Sequence, residues 1–254
     1  MNRRAGFGEA YEPTRYEHLA NVISHGVAVV PSFYAMRWMM AASYRDLQFR
    51  VSFIYGFFTT VLNASFLRIY CQKVISESNH LSRRGNHFGN IWTHEIFRKL
   101  RYYLHIVDRA AIYFFIAASY TPWLTLRHCA YPGLNIKWIV WLLACIGILY
   151  QYTFHEKYKT IETLLYIVMA CGPSVAIFTM NDRSGLGFMG VGGVVYLFGV
   201  IFFKLDGIVP FAHAIWHVHV LIGAALHLYA VYNTLLGPDR MNPFPDISKV
   251  HAEF

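Results

Sequence analysis

Seven long apolar stretches run through this chain, at roughly Val22–Ala42, Val51–Cys71, Ala110–Leu126, Trp138–Phe154, Thr163–Met180, Leu186–Phe203 and Phe211–Leu235. A helix that crosses a bilayer needs about 20 mostly apolar residues, because it climbs only ~1.5 Å per residue through a ~30 Å hydrocarbon core. The pattern therefore predicts an all-α membrane protein, a bundle of seven transmembrane helices. Composition agrees: 56% of the 254 residues are hydrophobic, 14% are charged and the mean hydropathy is +0.35, outside the usual range of soluble domains. The spans use well over half the chain, so no separate soluble catalytic domain fits. The expected organisation is a cytosolic N-terminal segment (1–21), the seven-helix domain (22–235) and a C-terminal tail (236–254). The polar start of the chain lacks the apolar core and cleavage site of a signal peptide, which leaves the first span as its own insertion signal.

Basic residues set the expected orientation. On the side of the N-terminus lie twelve: Arg3, Arg4, Arg15, Lys73, Arg83, Arg84, Arg98, Lys99, Arg101, Lys157, Lys159 and Lys204. The other side has eight: Arg37, Arg45, Arg50, Arg127, Lys137, Arg183, Arg240 and Lys249. The positive-inside rule then predicts a cytosolic N-terminus and a lumenal or extracellular C-terminus. The net charge of +8 comes without an aromatic-basic module, so no nucleic-acid partner is expected. A basic cytosolic face instead suits anionic membrane lipids or a recruited cytosolic signalling protein. The segment of about 72–104 reads as a long, solvated cytosolic loop. Cys145 and Cys171 fall mid-helix and read as core packing. Pro31, Pro122 and Pro173 read as kinks, and Gly187, Gly190, Gly192, Gly193 and Gly199 as points of close helix approach.

The ionisable residues near membrane boundaries converge on the cytosolic side. Glu17, Asn21 and His25 form an i, i+4, i+8 stripe into the first span, and His105, Asp108 and Arg109 precede the third. The fourth ends at His155-Glu156, the second near Tyr70-Cys71, and the seventh begins with His213 and His217 behind Asp206. Seven helix ends closing on a common centre would bring many of these into one polar pocket. His213 and His217, one turn apart, share a helix face. Neutral imidazoles bind zinc, and a catalytic zinc takes three protein ligands and a water that ionises near neutral pH. Asp108 would orient that water or accept its proton, and Arg109 would stabilise charge or pair with Asp108. Two histidines supply only two ligands, so the third must come from another helix. His227, deeper in the last span, reads as a buried, hydrogen-bonded structural residue.

Taken together these segments resemble the progestin and adipoQ receptor family, which includes adiponectin receptors and hemolysin-III-like proteins. The resemblance is closest to its monocyte-to-macrophage differentiation factor branch. It rests on YEHLANVISH (Tyr16–His25), DRAAIYFFIAASYTPWL (Asp108–Leu124), FHEKYK (Phe154–Lys159) and FFKLDGIVPFAHAIWH (Phe202–His217). It implies a seven-helix bundle with a cytosolic N-terminus and an intramembrane zinc held by one helix-two and two helix-seven histidines. The helix-seven pair falls on His213 and His217, the helix-three aspartate on Asp108, and the first motif's asparagine and histidine on Asn21 and His25. That motif's leading acidic position falls on His18, with Glu17 beside it. Helix two departs from the pattern: Phe66 and Tyr70 occupy the positions of its serine and zinc-binding histidine, leaving Cys71, His105 or a histidine of the 72–104 segment as substitutes.

Two functions follow. One is a receptor-like protein of Golgi or endosomal and lysosomal membranes, rather than the plasma membrane, that modulates signalling or lipid remodelling. The other is a zinc-dependent intramembrane lipid amide hydrolase of the ceramide-cleaving type, for which the altered helix two is the difficulty.

Overall fold

A computed structural model of the chain describes residues 14–82, 89–127, 131–154, 157–180 and 182–237; within the helices, several side chains, including those of 65–102, His25 and His105, lie outside the described set. Among the described residues there are seven α-helices and no strand: α1 (Arg15–Ala41), α2 (Asp46–Ser82), α3 (Gly89–Leu126), α4 (Tyr131–Thr153), α5 (Lys159–Cys171), α6 (Leu186–Lys204) and α7 (Ala212–Leu235). Four described segments are long and apolar enough to cross a membrane by length and composition: Leu19–Ala41, Asn135–Thr153, Leu186–Lys204 and Ala212–Leu235. Thr160–Ala176 is apolar but shorter.

The helices pack in chain order from α1 to α5, α6 lies on α7, and α7 closes back onto α1. Helix α3 touches α2, α4, α5 and α7. Its sequence explains that central place: every residue from Ala117 to Leu124 is buried, as in a helix covered on all sides. The outer surface is apolar too, with Trp38, Leu142, Leu149, Leu164, Phe178 and Val191 exposed. A surface built this way is matched to hydrocarbon, not to water.

Three expectations change. The 72–104 segment is not a loop: α2 continues to Ser82 and α3 begins at Gly89, leaving only 83–88 outside the description. Hydropathy marks where a helix would leave the bilayer, not where its backbone hydrogen bonds stop. Cys145 and Cys171 are exposed rather than packed in the core. A small apolar side chain has no reason to turn inward when its surroundings are lipid. Pro173 does more than kink: α5 stops at Cys171 and the chain continues as a 3-10 turn, Gly172–Thr179, because proline lacks the N–H donor and crowds the carbonyl one turn back.

Of the five α6 glycines, Gly192 and Gly199 face α7, where an added Cβ would meet His227 Cδ2 at 2.4 Å and His219 Cβ at 2.9 Å. Gly187, Gly190 and Gly193 face open space. Gly223 of α7 answers from the other side, where a Cβ would meet the Tyr196 ring at 2.8 Å.

Candidate functional site

The site begins with the way α1 starts. Thr14 is its N-cap: the Glu17 N–H donates to Thr14 Oγ1, and Thr14 N–H donates to Glu17 Oε2 at 2.8 Å, a reciprocal capping box. The other carboxylate oxygen, Glu17 Oε1, accepts the backbone N–H of Phe211 at 3.2 Å. Phe211 is the left-handed residue (φ 59°) that opens α7. A single buried carboxylate therefore caps one helix and holds the start of another, where the helix dipole favours negative charge. The acidic position of the first motif is served here by Glu17.

Four and seven residues further on, Asn21 and Ser24 share Glu17's face of the helix. Ser24 Oγ donates to the Asn21 carbonyl at 2.9 Å and lies 3.0 Å from His217 Nδ1. A serine has one hydroxyl proton. When that proton points to the carbonyl, Nδ1 of His217 is the donor and the neutral ring carries its lone pair on Nε2; in the other tautomer the hydroxyl donates to Nδ1. Asn21 is 7% exposed, and its Oδ1 has no hydrogen-bond partner among the described residues.

His213 and His217 do share a face: their rings meet edge-to-face, centroids 4.5 Å apart. His217 is buried and His213 partly so. Asp206, in the α6–α7 turn, places Oδ2 3.1 Å from His213 Nδ1, a close charge contact without hydrogen-bond alignment. Helix α3 brings the next carboxylate: Asp108 interacts electrostatically with His213 and with its neighbour Arg109. Helix α7 thus packs against both α1 and α3 here.

Arg109 has a second role that spacing alone did not reveal. Its Nη1 donates to Glu162 Oε2 of α5 at 2.6 Å, with the Glu162 side chain 4% exposed. Tyr166, one turn beyond Glu162, donates to that carboxylate and lies within hydrogen-bond distance of the Arg109 carbonyl. Ser24, Glu162 and Tyr166 were missed in the sequence. A signal existed for Ser24, which continues the Glu17–Asn21 face, and for Glu162, a lone acid in the apolar run TIETLLYIV.

The side chains of His25, His105, Phe66, Tyr70 and Cys71 lie outside the described residues. Among the described residues, no group of three or more His, Cys, Asp or Glu is arranged to hold a metal ion. The pair His213 and His217 supplies two nitrogens, each ring with an oxygen at Nδ1, as metal-binding imidazoles are commonly held. The described donors fit two-thirds of a zinc ligand set. His227 is buried, with Nε2 3.0 Å from the Met189 carbonyl, consistent with a structural histidine.

Comparison with known proteins extends this geometry. The family described as "Haemolysin-III related" matches residues 14–228. The chain belongs to that family. Human "Monocyte to macrophage differentiation factor" is 37% identical over 92% of this chain and 91% of its own length. "Hemolysin-3 homolog" of Bacillus subtilis is 33% identical over 85% of this chain and 92% of its own length, and "Hemolysin-3" of Bacillus cereus 31% over 85% and 90%. No solved structure matches. As a haemolysin-III-related protein with apolar helices this is a multi-pass integral membrane protein, and the matched region contains every residue of the pocket from Glu17 to His217.

Proposed function

We propose that this protein is a receptor-like member of its family, resident in endomembranes, which modulates signalling or lipid remodelling through the pocket formed by α1, α3 and α7. In this reading all seven helices span the bilayer, the N-terminus is cytosolic, and the pocket opens at the cytosolic face. The observation that carries it is the unpartnered Asn21 Oδ1, buried beside Ser24 on the helix face that meets His217. A buried acceptor without a donor costs about 1–3 kcal/mol, a cost that a ligand donating an N–H or O–H would offset. The printed name of the human relative, a differentiation factor, supports signalling over a purely structural role. Nearby membrane lipids and a recruited cytosolic protein are the proposed partners, with Golgi or endosomal and lysosomal membranes as the location.

A second reading, zinc-dependent hydrolysis of a lipid amide, is favoured by the Ser24 hydroxyl 3.0 Å from His217 Nδ1. When Nδ1 donates to Ser24, the unprotonated nitrogen of the neutral ring is Nε2, the form in which an imidazole binds zinc. Asp108 and Arg109 are then the groups near the reacting atoms, and Cys71, His105 or a histidine of the 72–104 segment must supply what the described residues lack.

Metal analysis of purified wild type and His217→Ala separates the two. Stoichiometric zinc in the wild type that His217→Ala removes favours the hydrolase. In that case Cys71→Ala and His105→Ala identify the third ligand. No zinc in the wild type, nor in Tyr70→His, removes the hydrolase reading. The receptor reading expects Asn21→Ala to lower ligand-dependent signalling while the protein still reaches its membrane. Unchanged signalling in that variant counts against the pocket as its ligand site.

A further inference from the structure

A second set of polar groups lies away from the pocket, about ten residues or ~15 Å further along α7. His227 is 7% exposed, Tyr55 of α2 is fully buried, and the hydroxyl of Tyr196 of α6 is buried. Tyr55 OH, Tyr196 OH and His227 Nδ1 all lack a hydrogen-bond partner among the described residues. They are neighbours: the Tyr196 and His227 rings meet edge-to-face at 5.4 Å, and the Tyr55 and Tyr196 hydroxyls interact electrostatically. The packing is built around these two rings. Gly192 leaves the space that His227 fills, and Gly223 the space that Tyr196 fills, since a Cβ at either would sit 2.4 or 2.8 Å from the ring.

The chemistry of the three groups is complementary to one molecule. His227 Nε2 faces the Met189 carbonyl at 3.0 Å and must donate to it, so the neutral ring offers an acceptor lone pair at Nδ1. The two phenols each offer a donor. Inside a bilayer an unsatisfied polar atom has no bulk water to turn to, and three together are costly. A water molecule donates to Nδ1 and to one further acceptor while accepting from phenolic O–H groups, within the two to four partners that buried waters take. We propose that the bundle interior contains a water-binding site formed by Tyr55, Tyr196 and His227, which joins α2, α6 and α7 through one shared molecule. The site is independent of the zinc and receptor readings, because none of its residues belongs to the pocket.

The test uses the full chain, labelled with 15N-histidine, in phosphatidylcholine nanodiscs. The site requires the His227 Nδ1 resonance to show a hydrogen bond and the ring protons to receive magnetisation from bulk water. It also requires that bond to survive in Tyr55→Phe and in Tyr196→Phe, and to be lost only in the double variant, because water keeps its remaining partners. Loss in one single variant alone means a direct phenol–imidazole bond and overturns the proposal. An unbonded Nδ1 in the wild type does the same. Transfer from acyl-chain protons instead of water assigns the site to an amphiphile's polar group, which also overturns it. The wild-type measurements stand even if a variant fails to fold.

Discussion

Two arginines flank the apolar stretch of helix α3, the half-buried Arg109 within it and the buried Arg127 just past its last residue, and the two are stabilised differently. They are 18 residues apart in sequence, about the thickness of a hydrocarbon core when multiplied by ~1.5 Å per residue. Arg109 pairs with Glu162, whose side chain is 4% exposed. Arg127 pairs with Asp182, whose side chain is 62% exposed, and also donates to the Ser184 carbonyl and hydroxyl at 3.0 and 2.7 Å while its guanidinium lies over Trp123. The first pair is largely desolvated on its acidic side; the second is wet on its acidic side, and Arg127 has further acceptors in the Ser184 carbonyl and hydroxyl. The lesson is that residue type and helix do not fix an ion pair's worth. The solvation of its partner does. Near Arg109 the charge network continues into Asp108 and His213. At the other end of the bundle Gln48, near the start of α2, donates to the Leu235 and Gly237 carbonyls at and just past the end of α7, tying those two helix ends together.

The largest expected effect tests this directly. Glu162→Ala leaves the half-buried Arg109 without its carboxylate and should cost about 3–5 kcal/mol, the range for breaking a buried pair. Asp182→Ala should cost about 1 kcal/mol or less, because a largely exposed partner is screened by solvent. Reversible unfolding in detergent measures both, and equal losses would break the comparison. Next in size is the contrast on α6. Gly192→Ala forces a methyl into the His227 ring and should cost about 1–3 kcal/mol, whereas Gly193→Ala meets nothing and should gain up to about 1 kcal/mol from helix propensity. Thermal melts of the two variants should shift in opposite directions; a shared direction would show that α6 is rotated from the placement described here. The smallest effect on stability is expected at Asn21. Asn21→Leu removes an acceptor that has no partner, so the melting temperature should hold or rise while ligand response is lost. A large drop in stability would move Asn21 from the ligand to the scaffold.

The sequence by itself determined the helical class, the approximate span positions and the pairing of His213 with His217, because hydropathy and 3.6-residue periodicity are properties of local sequence. It also singled out Asn21 and Asp108 as residues of one polar pocket, although their proximity depended on helices converging. Only the tertiary structure decided which acid meets which base. Glu162 takes Arg109, Asp206 lies against His213, Glu17 reaches the start of α7, and Ser24 meets His217 Nδ1. It also decided that α2 and α3 run well past their apolar stretches, and that Cys145 and Cys171 face outward. The physical reason is common to these cases. A hydrogen bond or ion pair depends on distances of a few ångströms between residues up to 194 positions apart in the chain, and those distances are fixed by how helices pack, at contacts such as Gly192 against His227, rather than by any pattern within one helix.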